Sequence, residues 1–232
     1  MGCSESTSTT TTTPSEICYY LESTPTEEWK EGSDLDKVLL TISHETRREP
    51  GCKAFLIVKN KDNGKIGFWG KFKGEDAVTA HENNAQLTTH MDTFKTLIDP
   101  ASMTKTTMTV AVNTDKKINF IPIGYNVCDP EYAVIIQMTA KDSASRDSIL
   151  IDGSSSILGK NLVTETRKET CCRSFDMCTV DSSRNIGIFG LFGTEGGLTA
   201  HENSELIKTG FPKIMELLIE NGLQMIVGRR IA

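Results

Sequence analysis

The pentapeptide Thr-Ala-His-Glu-Asn occurs twice, at residues 79–83 and 199–203, and brings together the residue types best suited to moving protons. A histidine titrates near neutrality and can take or give a proton at physiological pH. His81 and His201 are therefore the candidate catalytic residues, each as a proton acceptor. The neighbouring Glu82 and Glu202 do not complete a zinc motif, because H-E-x-x-H needs a second histidine where Ala85 and Glu205 stand. His44, His81, His90 and His201 are the only histidines, so neither a metal site nor a cofactor is expected. Two roles stay open for the pair. Each imidazole either fastens its helix to a strand through a local hydrogen bond, or lines a pocket and moves protons or orients a substrate there.

The elements that position these histidines can be read from periodicity. On a helix, Ala77, Ala80, His81, Asn84 and Leu87 fall along one stripe. His81 then sits at the margin of the buried face and Glu82 points away. After a break, Met91, Phe94 and Ile98 continue the stripe. The repetition also reaches far beyond the pentapeptide. At a shift of 120 residues, "ETRREPGCKAF" from Glu45 lies over "ETRKETCCRSF" from Glu165, and "IGFWGKF" lies over "IGIFGLF". From Glu45 to Ile98 no gap is needed and roughly a third of positions are identical. A period this long marks a repeated domain, since solenoid repeats run to about 50 residues at most.

Each half reads β-α-β-β-α-β. In the first, "EICYYLES" is a strand, and Ser33 caps a helix whose apolar side is Leu35, Val38, Leu39 and Ile42. "KAFLIVKN" and "KIGFWGKF" form a hairpin turning at Asn63-Gly64. "GEDAVTAHENNAQL" and "DTFKTLID" are helical, and "TMTVAVN" closes the unit as a strand. In the second half, "YAVIIQM" is a strand, a helix lies within residues 152–168, and "SFDMCTV" with "NIGIFGLF" forms the hairpin. "EGGLTAHENSELIK" and "FPKIMELLIENG" follow as helices, with Pro212 in a first turn, and "LQMIVGRRI" ends the chain as a strand. The fold class is α+β, with two tandem ferredoxin-like halves. Ala54, Leu56 and Val58 oppose Phe55 and Ile57, so both sheet faces are apolar. Helices cover one face, and the other half's sheet is the economical cover for the second. The chain would then build within itself, as a monomeric pseudo-dimer or as the unit of a higher homo-oligomer, what a symmetric dimer builds from two copies. The expected division is a tail at 1–14, a first domain at 15–125 and a second at 126–232, linked through about 120–131.

Composition narrows the partners. A net charge of −6 over 232 residues argues against nucleic acid, which requires a basic face. No apolar run spans a membrane, and the start lacks the features of a signal peptide. Seven cysteines, an odd number with no C-x-x-C, fit reduced and mostly buried thiols in a cytoplasmic protein; Cys52 and Cys172 are read as core. The tail "GCSESTSTTTTTP" has almost nothing to bury and is expected to be disordered. Its opening Met-Gly-Cys-Ser-Glu-Ser fits myristoylation at Gly2 with Cys3 placed for palmitoylation, which would give peripheral membrane contact.

Several of these features are similar to the antibiotic-biosynthesis-monooxygenase-like family of dimeric α/β barrels. They are Gly51-Cys52, Phe68-Trp69, Ala80-His81, and Met91 with Phe94; in the second half they are Cys172, Phe189, Ala200-His201, and Phe211 with Ile214. The resemblance covers most of residues 16–232. It implies a pocket between helices and sheet that holds a small, flat aromatic or quinol-type molecule. His81 or His201 would accept a proton there. Trp69, His90 and Phe94 in one half, and Phe189 and Phe211 in the other, would bind the substrate. Heme-degrading relatives place a histidine in the second helical region; His90 alone could match it, with the spacing off. Two function classes follow: a cofactor-independent monooxygenase, or a non-catalytic tandem module that binds a ligand or a protein.

Overall fold

A computed structural model of the chain describes residues 16–112, 131–150, 160–179 and 183–231. Gly2, Cys3, the rest of the polar tail and most of the expected linker lie outside these residues, as does Cys128. The first half runs β1 (Ile17–Pro25), α1 (Asp34–Arg48), β2 (Cys52–Asn60), β3 (Ile66–Phe72), α2 (Glu75–Glu82), α3 (Ala85–Thr96) and β4 (Ile98–Val112). The second runs β5 (Tyr132–Ala140), α4 (Ser143–Leu150), α5 (Lys160–Thr166), β6 (Cys172–Thr179), β7 (Asn185–Phe192), α6 (Glu195–Glu202), α7 (Glu205–Met215) and β8 (Leu218–Arg230).

The eight strands close into an antiparallel barrel in the order β1-β3-β2-β8-β5-β7-β6-β4. The expected facing of two sheets therefore goes further, because the halves are also joined edge to edge. β2 pairs with β8 through Val58–Arg230 to Asn60–Gly228, and β4 pairs with β6 through Thr109–Thr179 and Val110–Cys178. Each of the eight strands thus has a paired neighbour on both sides, although each join between halves is only three residues long. Backbones approach so closely at one join that a Cβ on Gly228 would lie 1.8 Å from the Lys59 carbonyl oxygen.

Alternation along the strands sorts the side chains into three cores. Phe55, Ile57, Phe68 and Phe72 face α1–α3, and Phe175, Met177, Ile188 and Phe192 face the second set of helices. Cys18, Tyr20, Leu56, Trp69, Met108, Ile135, Cys178 and Phe189 fill the barrel. An eight-stranded barrel is just wide enough for side chains to fill it. At its centre Trp69 and Phe189, one from each half, stack with ring centroids 3.8 Å apart and planes 7° from parallel. The Cys18 and Cys178 sulfurs lie 3.0 Å apart as free thiols, and burial pushes the Cys18 thiol well up.

A buried ion network bridges the halves beside this stack. Lys71 Nζ lies 2.8 Å from Glu16 and 3.3 Å from Asp176, which also takes an Arg167 Nη2 bond at 2.5 Å. Burial pulls the Lys71 pKa down, but Asp176 and Glu16 outweigh it and raise the pKa. Under the 120-residue shift, Asp176 answers to Leu56 and Lys71 to Leu191. The same two barrel positions are thus ionic in one place and aliphatic in the other.

Several boundaries differ from expectation. The pentapeptide helices end at Glu82 and Glu202, and Asn84 and Ser204 cap fresh helices, so Leu87 belongs to α3. In α2, Val78 and His81 are buried while Ala80 is exposed, because the short helix meets the sheet along a narrower face. β4 and β8 start at Ile98 and Leu218, where helix was expected, because β1 and β5 extend to pair with them: Pro25 faces Ile98 and Ala140 faces Leu218. Pro212 lies inside α7 rather than in its first turn. α4 precedes the expected second-half helix and is started by Asp142, whose carboxylate accepts the Ser145 amide at 2.6 Å.

Two outcomes follow from closure. Residues 15–125 expressed alone would expose β2 and β4 as edges together with the Trp69 face, and should self-associate. A monodisperse, folded monomer in sedimentation would contradict this. Asp176→Ala removes the carboxylate that Lys71 and Arg167 share, leaving Lys71 to Glu16 alone, and should cost about 3–5 kcal/mol in denaturant unfolding. The pair Lys71→Leu with Asp176→Leu copies the aliphatic arrangement and should recover most of that loss; no recovery would show that the network is needed for folding as such.

Candidate functional site

His81 is set by three local decisions of the chain. Asn83 ends α2, so the imidazole lies in the last turn and reaches down to the sheet. α1 ends at Arg48 with Glu49 in an extended conformation, and Gly51 turns the chain at φ +91°. That turn packs directly on α2: a Cβ on Gly51 would come within 2.7 Å of the Ala77 Cβ. In the second half the sizes are exchanged, since Cys171 stands at the turn and Gly197 on the helix makes room for it. Both arrangements bring a carboxylate under a histidine. His81 Nδ1 lies 2.7 Å from Glu49 Oε2, and His201 Nδ1 lies 3.0 Å from both Glu169 oxygens.

Both imidazoles are buried, at 5% and 7% exposure. The His81 ring lies 4.9 Å from Phe72, 5.7 Å from Tyr19 edge-on, and 6.1 Å from Phe55. A carboxylate accepts only. Glu49 therefore selects the tautomer with the proton on Nδ1 and leaves the Nε2 lone pair free. Nε2 has no protein partner among the described residues. Glu49 is itself held, because Asn84 Nδ2 donates to its Oε1 at 2.7 Å while Asn84 Oδ1 caps α3 through the Gln86 and Leu87 amides. Ser204, the counterpart of Asn84, caps α7.

His81 opens onto a cavity of about 300 Å³ between the helices and the outer sheet face. Its apolar walls are Leu21, Ile42, Phe55, Phe68, Leu87 and Met91. Its polar lining is Tyr19, Glu82, Thr88, Lys95 and Lys105 besides His81. Burial, with a smaller contribution from Glu82, pushes the Tyr19 phenol up to about 12, so it stays protonated and can donate. Lys105 sits 5.3 Å over the Tyr19 ring and is paired with Glu82. The volume suits one or two fused rings, at the small end of ligand pockets.

The residues expected to bind substrate divide differently. Trp69 and Phe189 do not wall this cavity, because they point into the barrel; their neighbours Phe68 and Ile188 face the helices. A single step along a strand changes the face. Phe94 is fully buried behind the wall, edge-on to Phe68 at 5.1 Å. His90 is half-buried on α3 and is not part of the lining, and Phe211 packs on the second-half core. Glu82 contributes to the lining instead of merely pointing away. Glu49 and Glu169 were not singled out from sequence, though each stands 32 residues before its histidine in both halves. Among the described residues no group of three or more His, Cys, Asp or Glu side chains is placed to hold a metal ion, and no helix is long and apolar enough to cross a membrane.

No family model matches the sequence, and no curated protein matches it. Solved structures do match in shape. A provisional monooxygenase from Fusobacterium nucleatum subsp. nucleatum superposes with a TM-score of 0.75 at 12% identity, covering 94% of each chain. One from Lactobacillus acidophilus superposes with a TM-score of 0.67 at 11% identity, covering 94% of this chain and 95% of the other. An anthrone oxidase-like protein superposes with a TM-score of 0.59 at 8% identity, covering 94% and 92%. At these identities the likeness establishes shape, over nearly the whole length. The chain shares the fold of these solved structures, with two ferredoxin-like halves in one polypeptide whose eight strands close into a single barrel.

Proposed function

We propose that the first-half cavity binds a small aromatic or quinol-type molecule and that His81 takes a proton from it, as in a cofactor-independent monooxygenase. The observation that carries this reading is the His81 imidazole in the lining of the cavity, with Nδ1 engaged by Glu49 and Nε2 without a protein partner among the described residues. Removing a proton from a phenol or an activated methylene gives an electron-rich anion able to react with oxygen. The balance closes without an external reductant, because CH2 and O2 give C=O and H2O. The protein's part is to exclude water, fix the ring against Phe55, Phe68 and Leu87, and receive the proton at Nε2. Tyr19, protonated throughout the working range, can donate to the developing oxyanion. The names of the Fusobacterium and Lactobacillus proteins agree with this chemistry without extending to this chain.

A second reading draws on His201. It repeats the histidine–carboxylate contact where Val134, Met215 and Met225 replace Tyr19, Lys95 and Lys105, so the contact has a structural use of its own. In that reading the chain is a non-catalytic tandem module, and the contact only fastens a helix to the sheet.

Three variants separate the readings by oxygen uptake with naphthol and naphthohydroquinone probes, and by melting temperature. His81→Ala should lower turnover about 10²-fold or more, the usual contribution of a positioned acid–base group. Glu49→Gln should lower turnover with a smaller loss of probe affinity, while His201→Ala should reduce the melting temperature and leave turnover nearly intact. Equal destabilisation by the two histidine variants, with no change in probe binding or uptake, would leave only the scaffold role.

A further inference from the structure

We infer that the first-half cavity selects aromatic substrates that carry an acidic group, a ring carboxylate or its equivalent, held at the mouth by Lys95 and Lys105. This rests on the reading that the cavity binds an aromatic molecule, and it names the class. The lining is divided in kind: six apolar side chains form the walls, while the polar lining includes two ammonium groups. Glu82 is the one carboxylate in that lining, so the lining carries one more positive charge than negative with His81 neutral. A neutral ring system would bury against the walls and leave both cations unused. A ring with a carboxylate satisfies both parts.

The existing partners of the two lysines do not compete strongly. Lys95 is paired with Asp92 one helical turn away, with side-chain exposures of 48% and 65%, and Lys105 with Glu82 at 45% and 41%. Exposed pairs of this kind are worth at most about 1 kcal/mol and are exchanged readily. Lys105 is already steered inward by the Tyr19 ring beneath it. A carboxylate arriving there would meet a cation and a phenol O–H, both donors.

The second half supplies an internal comparison. His81, Glu82 and Glu49 recur as His201, Glu202 and Glu169, and Phe55 recurs as Phe175. The two lysines do not recur, since Met215 and Met225 stand in their places, exposed at 43% and 51%. Lys208 answers to Thr88, so the second half has a cation at a different point along its helix. What the barrel needs in order to fold is shared by both halves; Lys95 and Lys105 belong to the first alone. The acid also bears on chemistry. Proton transfer to His81 turns a hydroxy-acid into a dianion, and the ammonium groups offset the added charge without donating from the base itself.

The test compares 1-hydroxy-2-naphthoate with 1-naphthol by calorimetry on the full chain, at low and high salt. The acid should bind about tenfold more tightly than the naphthol in dilute buffer, as charge-assisted hydrogen bonds allow. That preference should shrink to about twofold in 0.5 M salt as screening sets in. Lys95→Met with Lys105→Met should remove the preference and keep naphthol binding, and Lys95→Gln with Lys105→Gln should do the same if the methionine pair folds poorly. Naphthol binding as tightly as the acid, or a salt-independent preference, overturns the inference and leaves the proposed function standing. Failure of both probes to bind overturns the proposed function itself, and the inference with it.

Discussion

Closure of the barrel governs the rest of the structure. The eight strands meet edge to edge, and their buried side chains divide between the barrel interior and the cores beneath the helices. The inner side is filled to the centre by the Trp69–Phe189 stack, and the cavity beside His81 lies on the outer side. The two joins between halves are short, and one depends on Gly228 to let backbones meet. The large shared interior, rather than the few hydrogen bonds at the seams, is therefore what holds the halves together.

Joining two related halves in one chain frees them to diverge. In a symmetric dimer, an acidic residue at the Asp176 position would appear twice and need two basic partners. Here the ionic set of Lys71, Asp176, Glu16 and Arg167 is present once, with Leu56 and Leu191 in the related positions. The second Arg of the pair, Arg47, still donates to the Phe55 carbonyl as Arg167 does to that of Phe175. Its pKa is pushed down to about 10, by burial first and then by Arg230, which Glu131 balances. The exchange between Gly51 with Ala77 and Cys171 with Gly197 is the same kind of divergence in steric form: the side chain moves from the helix to the turn, and a glycine faces it in each half.

The fold was legible because its signals are long-range and redundant. Identity at a 120-residue shift, a Ser33 cap and alternation along β2 and β3 each point to the same units. The site was only half legible. His81 stood out because its pentapeptide repeats, but Glu49 is 32 residues away and meets it only after Gly51 turns the chain. Aromatic character drew attention to Trp69, yet the choice between Phe68 and Trp69 as cavity wall depends on strand register, which neighbouring residues of like chemistry do not disclose. Lys95 lies in the segment read as helical, and Lys105 falls just before the segment read as the closing strand, so neither was singled out. Only the extension of β4 back to Ile98 brings Lys105 opposite Leu21 and beside Tyr19.

The same histidine–carboxylate contact is built differently in the two halves. Glu169 offers both oxygens equally to His201, which fastens α6. Glu49 offers His81 a single oxygen, because the other is taken by Asn84 Nδ2, and Asn84 is fixed in turn by capping α3. The helix break after Glu82 is therefore what orients the imidazole: the residue that starts the next helix also holds the carboxylate that aims the base. An imidazole held this way has its orientation fixed in advance, which is the property preorganisation requires. Ser204 is one functional group shorter and caps without reaching further, so the second half retains the fastening and lacks the aim.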